Sequence, residues 1–193
     1  MDLKRWESNL SYTPKIIAFS GTSSFYFKVQ IRQNWSREKN GKSTQNPDLS
    51  ICLNCDEDTV SNSLHMFCNC TLARNLFKIL TKIVKLSMNH NLAQDPASLI
   101  FMQGPRPSCR QEKTVLTDLQ ACTLHTLQKL ALSESRVTEY TANQMLHRNL
   151  ITTVYSNRII DRATHIYDIV LESIFKVFKT RKIMQTYTVN DPM

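Results

Sequence analysis

Residues 52–70 read CLNCDEDTVSNSLHMFCNC and hold four of the six cysteines of the chain within nineteen positions. Cys52 and Cys55 form a Cys-x2-Cys pair, and His65 is followed by Cys70 in a His-x4-Cys pair. A Cys-x2-Cys turn lets two thiolates reach one tetrahedral ion, and a histidine and a cysteine one turn apart can supply the other two ligands. The sequence therefore predicts one structural zinc ion bound by a Cys3His set.

The fourth ligand is open at this point, because His65 and Cys68 are also spaced to share one face of a helix. Cys70 is favoured over Cys68. A different interpretation is that the four cysteines are unrelated thiols, but such clustering without a secretory signal indicates metal more than a disulfide framework. Four protein ligands leave the ion no open position for water, which predicts a structural and not a catalytic role.

Hydrophobic periodicity after this cluster predicts a mainly α protein. Leu72, Leu76, Leu80 and Val84 recur every fourth residue and indicate an amphipathic helix over 71–88, with Thr71 as its N-cap. Similar patterns indicate a helix over 112–132, and one long helix or two abutting helices from about 150 to 183. We expect a small zinc-stabilised knuckle followed by a helical bundle or hairpin.

These patterns divide the chain into four segments: a basic N-terminal segment (1–47), the knuckle with its amphipathic helix (48–88), a proline-containing linker (89–111) and a helical C-terminal region (112–185). Alternating Phe25, Phe27, Val29 and Ile31 indicate a short strand or helix in the first segment. Residues 36–50 show no period and predict a loop. A short helix is expected around the apolar LIFM run within residues 89–110.

The charge and the glycine content limit the function. The chain of 193 residues has 24 Lys and Arg against 16 Asp and Glu, a net charge of +8, yet residues 46–71 contain four carboxylates and no Lys or Arg. Two basic segments thus flank one acidic one, which favours nucleic acid or another acidic partner, although solvated lysines would give the same pattern. With only three glycines, the sequence cannot supply a glycine-rich phosphate-binding loop.

Basic residues near aromatic ones are candidates for nucleic-acid contacts, since rings can stack on bases while cations meet phosphates. Trp35 lies between Arg32 and Arg37. The full candidate set is Arg32, Trp35, Arg37, Lys39, Lys42, Arg74, Lys78 and Lys82.

The run from Asp48 to Phe77 resembles the zinc-binding CCHC region near the C-terminus of reverse transcriptases encoded by non-LTR (LINE-type) retrotransposons. Matching positions include an acidic residue before the Cys-x2-Cys pair, Asp58-Thr59-Val60, His65, Cys70, Ala73-Arg74 and an aromatic residue, Phe77 in place of the usual tryptophan. The resemblance implies a zinc-binding segment that contacts RNA or DNA.

Catalysis is not expected, because the Tyr/Phe-x-Asp-Asp carboxylate pair of such polymerases and a nuclease constellation are both missing from the sequence. The chain would then be a terminal fragment or remnant of an element. The alternative function is protein interaction, in which the apolar stripe from Ile159 to Phe178 packs on a partner or a second copy. No apolar run reaches the length of a membrane-spanning helix, so we expect a soluble intracellular protein, nuclear or cytoplasmic.

Overall fold

The computed structural model describes residues 37–55, 59–62, 64–92, 109–160 and 164–180, and these are mainly helical. The helices are α1 (Arg37–Thr44), α2 (Thr71–Met88), α3 (Arg110–Ala131), α4 (Glu139–Ile160) and α5 (Thr164–Thr180). A 3-10 helix spans Pro47–Ser50, and a π-helical turn spans His65–Asn69. The predicted mainly α fold is confirmed. The strand expected at 25–31 and the short helix expected around LIFM lie outside the described residues.

The amphipathic helix predicted from the four-residue period is α2, with the predicted bounds. Its apolar face is buried, and Leu76, Leu80 and Ile83 are fully shielded from solvent. Each such leucine or isoleucine contributes about 1.5–3 kcal/mol by leaving water. The predicted N-cap is wrong: Thr71 is the first helical residue and is exposed, while Cys70 occupies the N-cap position. Cys70 takes that place because its carbonyl accepts the Arg74 N–H at 3.0 Å.

α3 packs against α2, α4 and α5 in a four-helix bundle. Every residue from 115 to 124 is buried, including polar ones. Asp118 is 2 % exposed and accepts hydrogen bonds from Asn157 Nδ2 on α4 at 2.6 Å and the Tyr167 hydroxyl on α5 at 3.1 Å. These bonds join three helices inside a low-dielectric core, where hydrogen bonds to a carboxylate are strong.

The last part of the chain forms two helices, α4 and α5, the second of the two arrangements that the pattern allowed. α4 begins at Glu139, well before the first apolar residue of the pattern at Leu150. Its first turns bury Ala142 and Asn143 beside Leu146. Because a small and a polar residue contribute little to hydrophobic periodicity, the sequence did not predict this start of the helix.

The apolar stripe of α5 faces the interior of the bundle. Val170, Ile174, Val177 and Phe178 are fully buried against neighbouring helices of the same chain. The apolar stripe suggested self-association, but packing within the chain already explains why these residues are apolar. Self-association therefore stays a prediction. Among the described helices, none has the length and apolarity that crossing a membrane requires.

The loop predicted over 36–50 is wrong, because α1 and the 3-10 helix occupy most of it. α1 is polar throughout and has no apolar stripe, so periodicity gives no signal for it. The two short helices pack against each other around Gly41. A Cβ at Gly41 would collide with the Ser50 side chain, and the Gly41 carbonyl accepts the Asn46 N–H at 3.0 Å. Close approach to the 3-10 helix therefore explains a glycine inside α1.

Candidate metal centre and basic groove

Residues 50–70, called the knuckle below, present the two cysteines of the Cys-x2-Cys pair from a short antiparallel turn. Ile51 and Val60 form the isolated bridge of that turn. The Cys52 N–H donates to the Thr59 carbonyl at 3.0 Å, and the Ser61 N–H donates to the Ser50 carbonyl at 2.8 Å. These backbone bonds bring the chain on either side of Cys55 together, next to Cys52.

A π-helical turn positions the other two candidate ligands. The Cys70 N–H donates to the His65 carbonyl at 2.8 Å, a hydrogen bond five residues back along the chain. The Asn62 side chain accepts the His65 N–H at 2.8 Å and fixes the start of the turn. A π-helical turn brings residues five apart into register, where an α-helix favours three or four. The His-x4-Cys spacing thus becomes a close pair.

The four ligand atoms of Cys52, Cys55, His65 and Cys70 lie within 4.8 Å of one another. Cys55 Sγ is 3.4 Å from His65 Nε2 and 3.4 Å from Cys70 Sγ, and the Cys52 and Cys70 sulfurs are 4.0 Å apart. Tetrahedral zinc with ordinary bond lengths places sulfurs about 3.8 Å apart, and sulfur and nitrogen about 3.6 Å apart. The cluster therefore has the dimensions of a four-coordinate metal site.

The cluster is shielded from solvent, since Cys52, His65 and Cys70 are each 5 % exposed and Cys55 is half-buried. The hydrogen bond from Cys70 lowers the pKa of Cys52 to about 4. The same bond, together with burial, raises the pKa of Cys70. A cation bound here would replace the protons of the coordinating thiols.

Cys68, the alternative fourth ligand, is not part of this cluster. It is half-buried and packs against the hydrophobic core. The π-helical turn explains the difference, because its five-residue repeat aligns Cys70 with His65. The remaining two cysteines also lie elsewhere: Cys109 caps the N-terminus of α3, and Cys122 is buried in α3, where desolvation raises its pKa to about 11.

Asn54, inside the Cys-x2-Cys pair, connects the knuckle to the bundle. Its Nδ2 donates to the Leu130 carbonyl in α3 at 3.2 Å, and its Oδ1 accepts the Val137 N–H in the connection to α4 at 3.0 Å. Cys52, Met66 and Phe67 belong to the same hydrophobic core as the helices. Sequence reasoning missed Asn54, because its partners lie about eighty positions away along the chain.

A row of cations lies on the exposed face of α2, starting one turn after Cys70. α2 contains Arg74, Lys78, Lys82 and Lys85 and no carboxylate. All four are exposed, and none of them has an ion-pair partner among the described residues. Helical geometry places them within an arc of about 80° and along about 17 Å of helix axis. Lys85 was absent from the predicted set.

The row of cations borders a groove of about 720 Å³. Phe77 and Leu86 form its apolar part, and Thr81 and Asn91 add polar groups. Phe77 is 3 % exposed and Leu86 is 41 % exposed. Phe77 and Leu86 lie nine residues apart and therefore on opposite sides of α2, so the described lining is the row of cations with one apolar residue on each side.

The structure brings together only some of the predicted nucleic-acid contacts. Arg74, Lys78 and Lys82 share the α2 face. Lys42 is exposed on a different helix, α1, and the side chains of Arg37 and Lys39 in that helix are outside the description. Arg32 and Trp35 lie before the first described residue.

No protein-family model, no curated protein and no solved structure matches the chain.

Proposed function

We propose that the chain is a zinc-stabilised, non-catalytic module that binds RNA or DNA through α2. Three thiolates and one imidazole favour zinc over the hard cations that prefer oxygen ligands. Four protein ligands would complete a tetrahedral shell and leave no open position for a substrate or water. The ion would therefore act on folding and on the placement of α2.

The observation that carries this proposal is the continuity between the cysteine cluster and the cation row. Cys70 is both a cluster member and the N-cap of α2, and Arg74 follows one turn later. An ion bound at Cys70 would fix the first turn of α2, and with it the direction in which the cations point. A row of cations this long, with no ion-pair partner among the described residues, would attract the phosphates of nucleic acid.

Charge reversal on α2 tests nucleic-acid binding. We expect Lys78→Glu with Lys82→Glu to weaken binding of a labelled oligonucleotide by about tenfold or more, because two attractive contacts become repulsive. Fluorescence anisotropy at two salt concentrations measures this loss. Lys176→Glu with Lys179→Glu is the matched control, because it changes the net charge equally, and both lysines are exposed on α5 and do not line the groove. Equal affinity of the double variant and the control would contradict the proposal.

The proposed origin is a retrotransposon reverse transcriptase, for which the support is the motif and its spacing alone. The order Cys-x2-Cys, His-x4-Cys, Ala73-Arg74 and Phe77 leads into an amphipathic helix, as in the family that it resembles. Protein interaction remains the second candidate function. It would need a surface other than the α5 stripe, which is buried within the chain.

A further inference from the structure

We infer that Cys55 is an oxidation site, at which a hydroperoxide joins Cys55 to Cys70 in a disulfide and the cluster loses its metal ion. This inference rests on the zinc site of the proposed function and not on nucleic-acid binding. A zinc-bound thiol is deprotonated, and the thiolate is the form of cysteine that reacts with oxidants. The cluster would therefore hold three reactive cysteines together, and their accessibility decides which of them reacts first.

Solvent reaches one cysteine of the cluster more than the other two. Cys52 and Cys70 are each 5 % exposed, whereas Cys55 is only half-buried. Susceptibility of a cysteine to oxidation follows both its thiolate character and its exposure. A small oxidant in solution can therefore reach Cys55 before the other two.

Cys70 is placed to react with an oxidised Cys55. The sulfurs of these two residues are 3.4 Å apart, while 4.0 Å separates the sulfurs of Cys52 and Cys70. Sulfur atoms already in contact can form a disulfide through small movements of the side chains. Cys68 and Cys109 do not belong to the cluster. The distances therefore favour a bond between Cys55 and Cys70.

The reaction consumes one hydrogen peroxide for each disulfide. The Cys55 thiolate attacks one peroxide oxygen, the O–O bond breaks, and hydroxide leaves as Cys55 becomes a sulfenic acid. The Cys70 thiolate then attacks the Cys55 sulfur, the S–O bond breaks, and a second hydroxide leaves as the disulfide forms. The two thiolates lose two electrons to the peroxide, and two protons from solvent convert the two hydroxides to water.

Disulfide formation removes two of the four candidate zinc ligands. Cys52 and His65 remain, and two ligands are fewer than protein zinc sites supply, so we expect the ion to leave. Cys70 is also the N-cap of α2, where its carbonyl accepts the Arg74 N–H at 3.0 Å. Oxidation would therefore act on the residue that connects the cluster to the cation row.

The test uses the full chain with Cys109→Ser, loaded with zinc. This substitution removes the exposed thiol outside the cluster and puts a favourable N-cap residue at the start of α3. During treatment with hydrogen peroxide, a chromogenic chelator should record the release of about one zinc ion per chain. Peptide mapping without reduction should find Cys55 joined to Cys70. Dithiothreitol should reverse the bond and restore zinc binding.

Two histidine variants separate the role of Cys55 from the general reactivity of the cluster. Cys55→His and Cys52→His each keep four zinc ligands as a Cys2His2 set, and zinc content before treatment checks this. Cys55→His should slow zinc release by about tenfold or more, because the accessible thiolate is gone. Cys52→His is the matched control and should release zinc at nearly the rate of the parent chain.

The outcomes distinguish this inference from the function on which it rests. A parent chain that holds no zinc would contradict the zinc site and the oxidation site together. Zinc that stays bound during peroxide treatment would overturn the oxidation site alone. A disulfide from Cys55 to Cys52 or Cys68 would also overturn it, as would equal release rates in the two histidine variants. If neither variant holds zinc, the pairing mapped in the parent chain decides.

Discussion

The knuckle and the bundle of α2 to α5 exclude water from very different side chains. In the bundle, the buried residues are mostly aliphatic, and their burial alone supplies a driving force for folding. In the knuckle, Cys52, His65 and Cys70 are buried with their polar atoms facing one another, while Met66 and Phe67 join the core of the bundle. The bundle can therefore fold by apolar burial, whereas the knuckle contacts the bundle and, under the proposed function, is also held by a zinc ion.

Replacing a candidate zinc ligand should have the largest effect, because it affects the knuckle and leaves the apolar core of the bundle intact. We expect Cys70→Ser to reduce bound zinc from about one ion per chain to less than about a tenth, because a hydroxyl is a poor substitute for a thiolate. Elemental mass spectrometry on protein purified without chelator measures this. Cys68→Ser is the matched control and should retain the ion. Loss of zinc in the Cys68 variant, with retention in the Cys70 variant, would show that the wrong cysteine has been assigned.

Removing a core side chain should destabilise the bundle whether or not the ion is present. Leu119 is fully buried in α3, and we expect Leu119→Ala to lower the free energy of unfolding by about 2–5 kcal/mol. Leu64→Ala in the knuckle is the control with a cost below about 0.5 kcal/mol, since Leu64 is 60 % exposed. Urea unfolding with and without chelator measures both. If chelator alone unfolds the helices, the bundle does not fold independently of the knuckle.

Asn54 connects the knuckle to the bundle by two hydrogen bonds, so replacing it tests how much that connection contributes to stability. Asn54→Ala should lower the free energy of unfolding by about 1–3 kcal/mol, because it removes two hydrogen bonds to backbone groups. Zinc content should not change. Hydrogen exchange at the Val137 amide should become faster in this variant. Asn54→Asp keeps the acceptor for Val137 and should preserve its protection; equal exchange in the two variants would argue against the bond.

The smallest expected effect is a pH dependence that belongs to the bundle and not to the knuckle. Desolvation lowers the pKa of His147, which packs against Phe178 with ring centroids 4.6 Å apart, and also lowers the pKa of His125. The unfolded chain therefore takes up protons that the folded chain does not. Stability is full above the unfolded histidine pKa of about 6.5 and falls as the pH drops below it.

Urea unfolding at several pH values measures this effect, with zinc kept saturating. Replacing both histidines, as His125→Gln with His147→Gln, should flatten the decline between about pH 6.5 and pH 5. His90→Gln serves as the control, because it removes a histidine from the pair with Glu112 at the junction of α2 and α3. An unchanged decline in the double variant would assign the proton uptake to other groups.

The helices could be predicted from the sequence wherever one face is apolar and the other charged. α2 satisfies this condition and has the predicted bounds. α1 and the first turns of α4 do not, since α1 is polar throughout and α4 begins by burying Ala142 and Asn143. These segments are helical because they pack against other elements, and hydrophobic periodicity does not detect such packing.

Three members of the candidate site were predictable from the sequence, with Cys70 favoured as the fourth, but its geometry was not. The spacing of Cys52, Cys55 and His65 sufficed to group them, whereas the choice of Cys70 over Cys68 depends on a π-helical turn. π-helical turns are rare, so spacing arguments assume an α-helix and leave both cysteines open. The role of Asn54 depends on a contact between distant parts of the chain, for which one sequence alone holds no signal.

The contact between α2 and α5 also has a consequence for synthesis on the ribosome. The two helices are packed together, although 92 positions separate the end of α2 at Met88 from the end of α5 at Thr180. At ordinary elongation rates the apolar face of α2 therefore waits about 5–20 s for its last partner to emerge. During that interval the cations on its other face keep the nascent segment charged, which opposes aggregation.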